Sequence, residues 1–129
     1  MMADQKSVIG SWRANLSSPK QGEFPALLSF IDGGVLISTE APNGNLSSYH
    51  GAWALHDDSR LEFTFVGLFG TKAGVYAGEL KVNSTLKLNP SDGAWVGSYV
   101  AVATLPNGSV NYTDKGISAL KRISIEPLA

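Results

Sequence analysis

The sequence predicts an all-β protein, a single up-and-down meander of eight to ten antiparallel strands that closes into a small barrel. Two observations carry this. Apolar-alternating runs follow one another with only short Gly- or Asn-rich turns between them, and no window shows a 3.6-residue period. Hairpins between nearly all consecutive strands favour a meander over a Greek key, which needs longer crossings. Closing a meander of this length removes both exposed edges.

Each element has a local reason. Residues 1–7 read as a short tail or a turn of helix capped by Asp4. The first strand begins near Val8 and carries Gly10, Trp12, Ala14 and Leu16 on one face, because strand side chains alternate. Phe24 to Ile31 forms the second strand, and Asp32-Gly33-Gly34 turns into a third from Val35 to Glu40. Pro42-Asn43-Gly44-Asn45 leads into a central hairpin, Tyr49 to Phe69, folded at Asp57-Asp58-Ser59-Arg60. After Gly70-Thr71-Lys72, the spacing predicts a sixth strand over Gly74 to Val82 and a short seventh over Thr85 to Asn89. Ser91-Asp92-Gly93 introduces the longest apolar strand, Ala94 to Thr104. Beyond Pro106-Asn107-Gly108, Ser109 to Ile125 makes one long strand, or two broken at Asp114-Lys115-Gly116.

Composition bounds the rest. A chain of 129 residues, 43% of them hydrophobic, supports one domain over residues 1–129. A net charge of −1 gives no electrostatic footprint for nucleic acid or an anionic membrane. Charged residues reach only 16%, which leads us to expect part of the surface to be covered by another subunit, hence a homo-oligomer. The strand Ala94 to Thr104 adds to this: Val96, Val100 and Val102 make its outer face apolar as well. Cysteine is absent, which removes disulfides and thiolate chemistry. No apolar run approaches the ~18 residues of a membrane helix, and the start lacks an apolar signal core. A cytoplasmic protein is therefore expected. Asn15, Asn45, Asn83, Asn107 and Asn111 lie in N-x-S/T sequons, which are inert in that compartment and are also ordinary turn chemistry.

Aromatic residues and glycines alternate on four strands: Tyr49-x-Gly51-x-Trp53, Phe65-x-Gly67-x-Phe69, Gly74-x-Tyr76-x-Gly78 and Trp95-x-Gly97-x-Tyr99. Glycine weakens a strand, so its recurrence has a cause. One is mechanical: coiled sheets use glycine kinks, with an aromatic ring lying over a neighbouring glycine. The other is a cavity, since an eight-stranded barrel holds one small ligand when some inward positions are small, as Ala101 and Ala103 are. On the second reading, Tyr49, Trp53, Phe63, Phe65, Tyr76, Trp95, Gly97 and Tyr99 are the candidate ligand-binding residues.

Gly-x-Trp occurs three times, at Gly10-Ser11-Trp12, Gly51-Ala52-Trp53 and Gly93-Ala94-Trp95; three repeats are too few for a propeller. Gly10-Ser11-Trp12 on the first strand, the meander after it and a late basic residue, Arg122 or Lys121, together resemble the lipocalin-like calycin barrels. That resemblance implies a Trp12 that closes one end of the barrel, an arginine packed across its ring, and a small hydrophobic ligand. Avidin-like barrels, fatty-acid-binding barrels and small β-barrel cyclases share these general features.

Candidate chemistry is sparse. His50 and His56 lie six residues apart on one strand, about 20 Å when extended, too far to share a metal. His56 is placed to meet Glu62 across the hairpin on the polar face. No serine lies in a nucleophile elbow, and no glycine-rich turn leads into a helix as a phosphate loop does. No metal, cofactor or catalytic residue is assigned. Three readings follow: a barrel binding a small, largely apolar molecule; a cyclase or isomerase acting on one, with tyrosines as acids; and a solid, ligand-free interaction module. An open lumen separates the first two from the third, and an ionisable group inside it separates the second from the first.

Overall fold

The computed structural model describes residues 4–41 and 44–128. The turn residues Pro42 and Asn43, and Met1, Met2 and Ala3 of the expected tail, lie outside the described residues. Eight strands follow in order: β1 (Gly10–Ser18), β2 (Gly22–Ile31), β3 (Val35–Glu40), β4 (Tyr49–Leu55), β5 (Arg60–Gly70), β6 (Tyr76–Leu88), β7 (Trp95–Thr104) and β8 (Val110–Arg122). Each pairs antiparallel with the next, and β8 returns to β1 from Trp12↔Arg122 to Ser17↔Ile117, so the sheet is a closed eight-stranded barrel.

Two expected breaks are absent. The sixth and seventh strands form one strand, β6, because Asn83 and Ser84 continue the ladder as partners of Thr64 and Phe63. Likewise β8 runs unbroken through Asp114-Lys115-Gly116, which pair with Ala101, Val100 and Tyr99. Polar residues inside a strand pattern are tolerated here because both neighbours supply the backbone partners a break would forfeit.

The inward positions follow the two-residue period: Trp12, Ala14, Leu16 and Ser18 on β1 are all buried, as are Leu61, Phe63 and Phe65 on β5. The two barrel ends differ. At the closed end a short 3₁₀ turn, Gln5–Ser7, is capped by Asp4, whose carboxylate accepts from the Ser7 amide at 3.1 Å. It lays fully buried Val8 against the core. All three tryptophans lie toward this end, and two use the indole N–H to lock a loop: Trp12 donates to Val8 O at 2.8 Å and Trp53 to Ile31 O at 3.0 Å. Arg122 caps Trp12, its guanidinium carbon 4.4 Å from the centre of the ring. Arg122 also donates to the carbonyls of Ile9 and Ser7, each at 2.9 Å.

The opposite end is opened by two irregularities. On β6 the register slips at Ala77, opposite Phe69 and Gly70 of β5, and on β8 it slips opposite Ala103 and Thr104. Gly78 sits at the first slip with φ 119°, which only glycine adopts freely. A bulge of this kind reverses which face the following side chains use. It turns Ala77 into the lumen and leaves Tyr76 51% exposed.

Candidate functional site

The open half of the barrel encloses a cavity of about 760 Å³. Its walls are largely apolar, with Phe24, Leu46, Phe69, Leu80, Val82, Ala101 and Ala103 contributed by β2, the β3–β4 connection, β5, β6 and β7. Room exists there because the upper inward positions of β6 and β7 are small, Ala77, Ala101 and Ala103. Lower down, Phe30 meets Trp53 and Phe63 edge-on at 5.9 and 5.6 Å between ring centres, and the core is filled. Between the filled and hollow halves lies a void of only about 10 Å³, bordered by Ser38, Glu40, Phe65, Tyr99 and Ser118.

Four polar side chains define the cavity's chemistry. Glu40, the last residue of β3, faces inward in phase with Leu36 and Ser38. Burial raises its pKa above the usual carboxylate value, partly offset by the Tyr49 hydroxyl, which donates to Glu40 Oε1 at 2.8 Å. Tyr49 opens β4 and is fully buried. Burial, then the charge of Glu40 and the hydrogen bond to it, push the phenol far above its ordinary range. Asp114 on β8 is 6% exposed, accepting from Ser18 Oγ at 2.6 Å and from the Lys115 amide at 2.9 Å. Tyr99 on β7 lies close to Ser18, yet its buried hydroxyl has no partner in hydrogen-bonding geometry among the described residues. Its pKa is raised, by burial first, against the lowering influence of Ser18 and with a further rise from the charges of Asp114 and Glu40. At the rim, Gln21 Nε2 donates to the Tyr112 hydroxyl at 2.9 Å.

The eight candidates read from the sequence divide into groups. Tyr49 and Tyr99 line the cavity. Trp53, Phe63, Phe65 and Trp95 are buried in the packed half instead, with Phe63 and Phe65 bordering the small void and none of the four lining the large cavity. Tyr76 faces solvent, moved there by the bulge. Gly97 provides no ligand space: a Cβ there would run into the Thr85 carbonyl oxygen and come within 2.8 Å of Leu86 Cα. The mechanical explanation of the aromatic–glycine alternation therefore accounts for these positions. The Tyr49 ring covers Gly67 and the Tyr99 ring covers Gly116, each within 2.6 Å of where a Cβ would stand.

Glu40, Asp114 and the wall residues Phe24, Leu46, Leu80 and Tyr112 were not among the sequence candidates. Parity would have found the two carboxylates, since Glu40 is two and four residues beyond inward Ser38 and Leu36, and Asp114 two before Gly116. His50 is exposed, and His56 Nε2 meets Glu62 Oε1 at 3.2 Å on the outer surface, with side chains 38% and 51% exposed. The pair is diagonal, because Glu62 stands opposite Ala54. At that exposure it is an ordinary surface contact worth little. Among the described residues no three His, Cys, Asp or Glu side chains gather as a metal site, and no helix is long and apolar enough to cross a membrane.

Compared with protein-family models, curated proteins and solved structures, the chain has no match in any of the three.

Proposed function

We propose that this protein binds one small, largely apolar molecule in the open half of its barrel, as a lipocalin-like calycin barrel of the cytosol. The observation that carries the reading is a lumen of about 760 Å³, stoppered at one end by Trp12 and Arg122 and open at the other. Ligand sites commonly fall at roughly 300–1,000 Å³ and combine apolar walls with a few polar anchors. Burying roughly 400 Å² of apolar ligand surface contributes about 10 kcal/mol before immobilisation costs, which leads to dissociation constants of about tens of micromolar. Glycine 10, behind which the Arg122 guanidinium packs, and the Trp12 stack support the calycin comparison.

The test is a fluorescence titration with fatty acids, terpenoids and retinoids against wild type and Ala103→Phe, which fills the cavity from its wall. Wild type should bind at least one class, and the variant should lose about ten-fold or more while keeping its circular dichroism. If wild type binds nothing, or both proteins bind alike, the ligand-free interaction module becomes the better reading.

A second reading is favoured by one observation, the Glu40 carboxyl with a raised pKa inside the lumen. A carboxyl so placed serves as an acid or base beside the phenols of Tyr49 and Tyr99, in a cyclase or isomerase that folds its substrate against the apolar walls. Incubation of any ligand found above with wild type and Glu40→Gln, followed by mass-neutral product analysis by chromatography, tests it. Rearranged product from wild type alone supports catalysis; an unchanged ligand removes it.

A further inference from the structure

We propose that the lumen selects an apolar amine, held as its ammonium between Glu40 and Asp114 with the Tyr99 hydroxyl as a further acceptor, and that it rejects carboxylates. This rests on the small-molecule reading above and names the ligand's polar end.

The polarity of the lumen has one sign. Glu40 and Asp114 are the charged residues that line it among the described residues, and no lysine, arginine or histidine faces it. The nearby Lys20 is engaged elsewhere, its Nζ bonded to Thr113 O and 4.9 Å from the centre of the Tyr112 ring. Arg122 stands at the opposite end of the barrel. A fatty-acid head would bring a third carboxylate beside two, with nothing to neutralise it.

Hydrogen-bonding capacity has the complementary pattern. Tyr49 occupies Glu40 Oε1, leaving Oε2 to accept. Ser18 and the Lys115 amide take one position on each Asp114 oxygen, and each oxygen keeps a second lone pair. Tyr99, only 5% exposed, lines the same space with a hydroxyl that has no partner in hydrogen-bonding geometry among the described residues. Buried polar atoms are normally satisfied, so an orphaned hydroxyl on a cavity wall marks where a ligand atom completes the set. An ammonium brings three donors and no acceptor, which matches a site rich in acceptors. The rings of Tyr49 and Tyr99 also favour a cation near them. Burial of Glu40 supports the same assignment, since a bound cation restores the charged carboxylate that burial disfavours.

The experiment uses three ligands of one chain length, decylamine, decanol and decanoate, displacing a neutral polarity-sensitive fluorophore at neutral pH and low salt. Wild type should bind decylamine about ten-fold or more tightly than decanol, and decanoate weakest. Glu40→Gln should cut the preference for amine over alcohol several-fold, with a native circular dichroism spectrum showing that the variant is folded. Adding Asp114→Asn should erase what preference remains in the double variant. Decanoate binding as tightly as decylamine, or an unaltered preference in Glu40→Gln, overturns the proposal, as does decanol binding best. Equal binding of all three leaves the lumen reading standing and removes the amine selection. A fluorophore that does not bind at all removes both.

Discussion

The Tyr49 hydroxyl donates to Glu40 Oε1 at 2.8 Å, joining the end of β3 to the start of β4 inside the lumen. A phenol and a carboxyl buried together are each driven toward the neutral form, so the pair links stability to pH.

Glu40 titrates higher in the folded chain than in the unfolded one, so its contribution is fully present below the unfolded value near 4.5 and is lost as pH rises through the folded value. Glu40→Gln removes that dependence. Its melting temperature should equal or exceed wild type's at pH 7–8, and its advantage should shrink as pH falls through the folded value toward 4.5, with no further change below that. Melts at a series of pH values showing a constant difference would count against this assignment.

Trp53→Ala should destabilise the protein by about 3–5 kcal/mol, the usual range for a large-to-small change in a packed core. Trp53 is 7% exposed, packs edge-on against Phe30 and ties β4 to the Ile31 carbonyl. Urea unfolding that shows less than about 1 kcal/mol of loss would contradict its placement.

At Gly97 even one methyl group is expensive. The β6 and β7 backbones meet there too closely for a Cβ, so Gly97→Ala should lower stability by more than Ala101→Gly does, although both changes are small. A Gly97→Ala variant that melts with wild type would mean the two strands separate without cost.

Removing the cap at the closed end should loosen it. Arg122→Ala loses the stack on Trp12 and both hydrogen bonds to Ser7 and Ile9, for about 1–2 kcal/mol. Acrylamide should quench tryptophan emission more strongly in the variant; unchanged quenching and an unchanged urea midpoint would show that Trp12 closes the end alone.

Self-association is the remaining proposal. Val96 and Val100 are 45% and 38% exposed on the outer face of β7, beside Ile117 of β8 at 66%. Lys87 and Lys115 stand opposite Val96 and Val100 at the edges of this patch, and a second copy of the chain is the expected cover. Sedimentation should give a dimer or larger species at tens of micromolar protein, and Val100→Asp should shift it to monomer. A wild-type monomer at that concentration removes the proposal.

Much of the fold was legible because strand side chains alternate and turns need particular residues. The bounds of β3 and β4, the inward set on β1 and the Asp4 cap all come from such local rules. Of the site, Tyr49 and Tyr99 were legible together with the small residues Ala101 and Ala103, because these combine inward parity with the hollow half. Tyr76 carries the right parity in sequence but lies beyond a bulge, and a bulge inserts one residue without leaving an unambiguous local mark. Glu40 was passed over as a strand terminus, although the inward count from Leu36 reaches it.

By itself the sequence determined the all-β class, the hairpin connectivity and the faces of most strands, since each depends on neighbours within a few residues. Tertiary structure decided which end of the barrel is full and which is hollow. That choice depends on heights along the barrel axis: the tryptophans of β1, β4 and β7 gather at one level, while Ala77, Ala101 and Ala103 gather at the other. Only closure of β8 onto β1, with its register and its two bulges, sets those heights. The meeting of Glu40, Tyr49, Tyr99 and Asp114 follows from the same closure, because residues far apart in the chain share a level only when the sheet is wound shut.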